Sequence, residues 1–151
     1  MTDMSGPGQF PAENSAEGSF ERQPDEFRDW VRADGSTSYR PAAGRYHLYV
    51  SLACPWAHRT LIVRRLQGLD QVVSMSVVDP VRDDRGWAFR DGPGFSRDPI
   101  NGFEFLSDAY RATRPDFQGR WTVPALWDRE TRRIVNNSED DICRMFNDEF
   151  R

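Results

Sequence analysis

The sequence predicts an α/β fold whose elements run β-α-β-α-β-β-α behind an N-terminal arm. Three observations carry this. An aromatic and β-branched run, Tyr46-His47-Leu48-Tyr49-Val50-Ser51, passes through Leu52-Ala53-Cys54-Pro55 into a helical pattern. A second apolar run, Val72 to Val78, stops at Asp79-Pro80. A closing amphipathic helix starts at Ser138 and carries Ile142, Met145 and Phe146 on one face.

Residues 1–45 are rich in Gly, Pro, Ser, Glu and Asp and hold no period of 2 or 3.6 for long, which marks them as an arm. Phe10, Phe20, Phe27 and Trp30 leave two readings of it: disordered, or laid over the folded body with these rings as anchors. The folded domain is expected over 46–151. Pro55 suits the first position of a helix because its missing N–H is not needed there. Ala57 to Leu66 then places Leu61, Ile62 and Leu66 on one face, and Gly68 ends the helix. Residues 83–103 are turn-rich and too long for an ordinary connector, so they are suspected of function, with Trp87 foremost. Phe105 to Thr113 reads as a short helix, Val123 to Asp128 as a strand, and Ile134-Val135 as another after a turn. Ser138 can cap the last helix, with Asp141 three residues on in the acidic position of a capping box.

A chain of 151 residues is long enough for one domain with a hydrophobic core. Its mean hydropathy of -0.74 and 29% charged residues argue against a membrane protein. No apolar run approaches the ~20 residues that a spanning helix needs. The N-terminus has neither the basic start nor the apolar stretch of a secretory signal, so a cytoplasmic location is expected. A net charge of -4 and scattered arginines argue against nucleic acid as a partner.

Cys54 lies between a strand end and a helix N-terminus, where unpaired N–H groups and the helix dipole favour a thiolate. It is the nucleophile candidate, against the alternative of a buried inert thiol. Pro55-Trp56-Ala57 stands where a Cys-x-x-Cys pair would put its second cysteine, so a resolving thiol must come from elsewhere. His58, one turn into the helix, is read as structural, and His47 and Cys143 are assigned no catalytic part. Cys54, His58 and Cys143 have no recognised metal-ligand spacing, so no metal is expected.

The segment 46–60, Tyr-His-Leu-Tyr-Val-Ser-Leu-Ala-Cys-Pro-Trp-Ala-His-Arg-Thr, resembles the active-site signature of glutathionyl-hydroquinone reductases, the xi-class glutathione transferases. Gly86-Trp87, Gly119-Arg120-Trp121-Thr122-Val123-Pro124 and Ile134-Val135-Asn136-Asn137 extend the similarity over about residues 20–151. The resemblance implies a thioredoxin-like glutathione-binding domain with glutathione as co-substrate and no metal. It implies that Cys54 attacks the sulfur of a glutathionyl-hydroquinone, releases hydroquinone, and is freed from the mixed disulfide by a second glutathione. By the same resemblance the glutathione contacts fall on Trp87, on Arg120, Trp121, Thr122 and Val123, and on Ser138 and Glu139. At the last pair the family order is Glu then Ser, whereas this chain has Ser then Glu. Val123-Pro124 is similar to the cis-proline element whose backbone pairs with the cysteinyl part of glutathione.

The resembling family carries a further all-helical C-terminal domain that supplies the hydroquinone pocket, a proton-transferring tyrosine and the dimer contacts. This chain is expected to lack it, and to form a homodimer only where it is present. Two other functions remain open: an omega-like glutathione-dependent thiol transferase or dehydroascorbate reductase, and a non-catalytic fragment that acts by interaction.

Overall fold

The structure is a computed structural model and describes residues 25–150. Its elements are β1 (Tyr46–Val50), α1 (Pro55–Leu66), β2 (Ser74–Val77), α2 (Leu106–Thr113), β3 (Ala125–Asp128), β4 (Arg133–Asn136) and α3 (Glu139–Asp148). The strands form one sheet in the order β2-β1-β3-β4. β1 runs parallel to β2 and antiparallel to β3, and β3 runs antiparallel to β4. This is the α/β arrangement expected from the element order and the thioredoxin-like fold that the resemblance implies.

β1 is buried at all five positions, as a central strand covered on both faces must be. Tyr46, Leu48 and Val50 alternate with His47 and Tyr49 along it, so each set lies on its own face of the sheet. α1 packs against α3. The face that α1 turns to the core differs from the expected one: Ala57 and Thr60 are buried, whereas Ile62 and Leu66 are 43% and 77% exposed. Small residues at the contact let the helix axis approach closely; Leu61 and Val63 pack partly against the core, and Ile62 and Leu66 are left outside.

The described part of the arm is folded onto the body. The Asp29 N–H donates to the Val135 carbonyl at 3.1 Å, and the Asn137 N–H to the Phe27 carbonyl at 2.9 Å. These bonds cover the outer edge of β4, which would otherwise present unpaired backbone groups. Phe27 is buried with its ring 5.4 Å from Tyr110 and 5.1 Å from Phe117. Val31 and Tyr39 enter the same core, and the Arg28 guanidinium grips Asp141 of α3 through Nε and Nη2. Phe10 and Phe20 lie outside the described residues.

The long segment between β2 and α2 is folded as well. Asp98 is its hub, accepting from the Tyr49 hydroxyl at 2.9 Å and from the backbone N–H groups of Ile100, Asn101 and Phe103. Trp87, Ala88 and Phe89 of the same segment are buried. Next to it, His47 sits between the hydroxyls of Ser74 and Ser76, each 2.6 Å away. Burial, with the charges of Arg129 and Arg64, pushes its imidazole down to about 3, so it stays neutral at physiological pH.

Candidate active site

Cys54 is the N-cap of α1, with an extended backbone and Pro55 in the first turn. The Ser51 hydroxyl accepts from the Ala53 N–H at 3.1 Å, and the Cys54 N–H donates to the Ser51 carbonyl at 3.3 Å, which fixes the turn from β1 into the helix. No side chain caps this terminus, and the sulfur sits at the positive end of the helix dipole.

The opposite wall comes from the segment before β3. The sulfur of Cys54 lies 3.9 Å from the Val123 carbonyl oxygen, and the Val123–Pro124 bond is cis. Tyr110 of α2 holds this wall from behind. Its hydroxyl donates to the Thr122 carbonyl at 2.6 Å and accepts from the Thr122 N–H at 3.1 Å and from Asn137 Nδ2 at 3.2 Å. Burial pushes its phenol up to about 12, so it remains a neutral donor at physiological pH.

Between these walls lies a cleft of about 370 Å³. Of the residues singled out from sequence, Cys54, Trp87, Arg120, Thr122 and Val123 line it. Trp87 is 6% exposed, so it forms a wall of the cleft rather than a free flap. Trp121 lies elsewhere, packed 3.0 Å from where a Cβ on Gly86 would stand and beneath the Arg111 guanidinium at 5.2 Å. Gly86 has a φ of 87°, so it is constrained both by its backbone and by that ring. Through it, Trp121 supports the turn that carries Trp87.

Ser138 and Glu139 are also absent from the cleft lining. The Ser138 hydroxyl caps α3 by accepting from the Asp141 N–H at 3.4 Å. Glu139 turns to α1 and accepts from Arg59 at 3.0 Å. It faces Cys143, whose thiol is pushed up to about 11 by burial and by the Glu139 charge. His58 is exposed on α1 and does not line the cleft.

Of the five other lining residues, Trp56 and Arg82 bring an aromatic ring and a cation that the sequence reading did not assign to the site. Arg82 stands at the mouth with its guanidinium 4.8 Å from the Trp87 ring centroid. The available signal was its place directly after the second strand, since loops at the carboxyl ends of strands collect binding residues in α/β folds. A larger hollow of about 740 Å³ lies within residues 85–105, but its Arg85, Arg90 and Arg97 are each paired with an aspartate and it holds no nucleophile. Among the described residues no group of three or more His, Cys, Asp or Glu is placed to hold a metal. No helix there is long and apolar enough to cross a membrane.

The model of the glutathione S-transferase N-terminal domain matches residues 53–149. The chain belongs to the glutathione S-transferase family. This transferase domain is 47% identical over 143 residues to glutathionyl-hydroquinone reductase YqjG of Escherichia coli, covering 90% of the chain and 44% of that protein. It is 41% identical over 136 residues to glutathionyl-hydroquinone reductase PcpF of Sphingobium chlorophenolicum, covering 90% and 42%. Among solved structures, the xi glutathione-S-transferase of Phanerochaete chrysosporium matches with a TM-score of 0.83 at 46% identity, over 87% of the chain and 44% of that protein. The glutathione-bound structure of YqjG matches with a TM-score of 0.78 at 48% identity, over 83% and 43%. The transferase domain thus spans less than half the length of the curated relatives it matches.

Proposed function

We propose that this domain binds glutathione in the Cys54 cleft and carries the thiol-exchange half of glutathionyl-hydroquinone reduction. The observation that carries the reading is the placement of the Cys54 sulfur at the N-terminus of α1, facing the Val123 backbone at 3.9 Å. The cysteinyl backbone of a bound glutathione, laid along residues 122–123, would bring its sulfur to Cys54. Trp87 closes one side of the cleft, and Arg120 brings a cation to an anionic peptide. Relatives named for glutathionyl-hydroquinone reductase support the substrate class.

In the proposed reaction the Cys54 thiolate attacks the sulfur of a glutathionyl-hydroquinone. The sulfur–sulfur bond forms as the carbon–sulfur bond breaks. The ring carbon keeps the electron pair and takes up a proton, so the arene is reduced to hydroquinone while Cys54 and glutathione are joined as a disulfide. A second glutathione thiolate attacks that disulfide, releasing glutathione disulfide and restoring the Cys54 thiolate. Cys143, with its thiol pushed up to about 11, is un-ionised under these conditions and takes no part. A mechanism that turns on reduced thiols suits the cytoplasmic location expected from the sequence.

Mass spectrometry after incubation with glutathione disulfide tests the reading. The chain is expected to gain one glutathione on Cys54, and Cys54→Ser to gain none. Glutathionylation of the serine variant, or of Cys143 in the parent, would overturn it. An omega-like thiol transferase is the second reading, favoured by a relative named glutathione S-transferase omega-like 2 from Schizosaccharomyces pombe, 43% identical over 137 residues. Glutathione exchange with simple disulfides but not with glutathionyl-hydroquinones, even once a hydroquinone-binding domain is joined to the chain, would select it.

A further inference from the structure

We propose that Arg82 is a specificity-determining residue of the Cys54 cleft that binds the glycine carboxylate of glutathione. The inference rests on the glutathione reading above and names the group that sets its preference for an anionic thiol. The cleft lining carries two guanidiniums, Arg82 and Arg120, and no carboxylate. Each arginine of the neighbouring hollow is tied to an aspartate, whereas Arg82 leans on the face of Trp87 with its centre 4.8 Å from the ring centroid. Stacking fixes the plane of the guanidinium while leaving its N–H edge available to a ligand.

The electrostatics agree with that geometry. Partial burial lowers the proton affinity of Arg82, Arg120 lowers it further, and Cys54 raises it. Arg82 therefore lies within the field of both the second cation and the reactive sulfur. It stays protonated at neutral pH, as arginines do. Two like charges converging on one cleft repel each other until an anion enters between them. Along the tripeptide the glycine carboxylate stands nearer the cysteine than the γ-glutamyl one does, so a cation close to Cys54 reaches it first. Glu139 accepts from Arg59 through Oε1 and is absent from the cleft lining, so it brings no negative charge beside Arg82.

The test compares formation of the Cys54 mixed disulfide from three reagents: glutathione disulfide, its glycine-amide analogue, and the neutral bis(2-hydroxyethyl) disulfide. Arg82→Gln is expected to slow reaction with glutathione disulfide by about 3- to 30-fold, the span between an exposed ion pair and a charge-assisted hydrogen bond. Its reaction with the neutral disulfide is expected to slow by a smaller factor, which reads the loss of a cation near the sulfur. The glycine amide is expected to react with the parent chain more slowly than glutathione disulfide does, and to be slowed by Arg82→Gln no more than the neutral disulfide is. Arg82→Lys keeps the charge but loses the stacked fork, and is expected to recover only part of the rate. Equal slowing toward all three reagents would place Arg82's action on the sulfur and overturn the proposal. So would an unchanged rate toward glutathione disulfide, or a glycine amide that reacts like its parent. These outcomes all occur with Cys54 active toward the neutral disulfide. A parent chain inert to every reagent overturns the thiol-exchange reading itself, and this proposal with it.

Discussion

The Cys54 sulfur and the Val123 carbonyl oxygen stand 3.9 Å apart across a sequence separation of 69 residues. One belongs to the β1–α1 turn, the other to the segment that enters β3. β1 and β3 pair with Tyr49 opposite Ala125, so the ends of two adjacent central strands deliver both groups to one end of the sheet. The chemistry of the cleft depends on holding both segments still.

Tyr110 does this for the second segment. Tyr110→Phe removes an acceptor from the Thr122 N–H and from Asn137 Nδ2, and a donor from the Thr122 carbonyl. Leaving such buried groups unpaired costs about 1–3 kcal/mol. Urea unfolding is expected to show that loss, and a slower glutathione exchange at Cys54 is expected alongside it. Unchanged exchange would remove Tyr110 as a positioning residue.

The two thiols are expected to separate by pH. Cys143 is held at about 11 by burial and by Glu139, so its alkylation at pH 8 is expected to be slow and to rise about tenfold per pH unit until near that value. Removing the neighbouring charge in Glu139→Gln is expected to speed Cys143. Iodoacetamide labelling followed by peptide mapping measures both thiols at once, and faster labelling of Cys143 than Cys54 at pH 8 would contradict the assignment.

Acid is expected to unfold the domain through two buried aspartates. Burial pushes the Asp128 carboxyl up, but hydrogen bonds from Arg45, from Thr131 and from the Glu130 N–H outweigh it and hold the group below its ordinary value. Asp141 is held down in the same way by Arg28 and Asn136, again against burial. A carboxyl whose folded value is lowered stabilises the fold above its unfolded value of about 3.9, and loses that contribution as pH falls through the lower folded value. Melting temperature is expected to be level from pH 7 to about 5 and to fall below about 4. Asp128→Asn leaves Arg45, 11% exposed, with only the exposed Glu130 as a charge partner, and is expected to cost about 3 kcal/mol at pH 7 and to flatten the acid limb.

The outer surface of α1 sets a further expectation. Ile62 and Leu66 are one turn apart and exposed, with Leu52 and Trp56 exposed nearby at the start of the helix. Such apolar surface favours association. Residues 1–151 by themselves are expected to associate with rising concentration in sedimentation velocity, and Ile62→Glu with Leu66→Glu to reduce it. The same chain is expected to exchange thiols at Cys54 but to reduce glutathionyl-hydroquinones poorly. A positioned proton donor is worth roughly 10² to 10⁴ in rate at the carbon leaving group. Joining the chain to the remaining portion of a xi-class relative is expected to raise hydroquinone turnover while leaving thiol exchange nearly unchanged. Equal hydroquinone turnover by the two would contradict this.

Local patterns in the sequence determined the seven elements and their order, because strand and helix periodicity, Pro55 at a helix start and Ser138 at another are properties of neighbouring residues. They also determined Cys54 as the nucleophile candidate, since its place at a strand-to-helix junction is local. The tertiary structure decided what depends on residues far apart. It set the Val123 backbone before Cys54, brought Arg82 over Trp87, and laid Phe27 and Val31 against β4 and the core. It also turned Glu139 toward Arg59, and Trp121 against Gly86. Local pattern assigns a residue to an element, and only the packing of one element on another decides which face of it meets the cleft. The small contact at Ala57 and Thr60 shows the same limit: which stripe of α1 is buried was settled by how closely the helix could approach its neighbours, not by where its largest apolar residues fall.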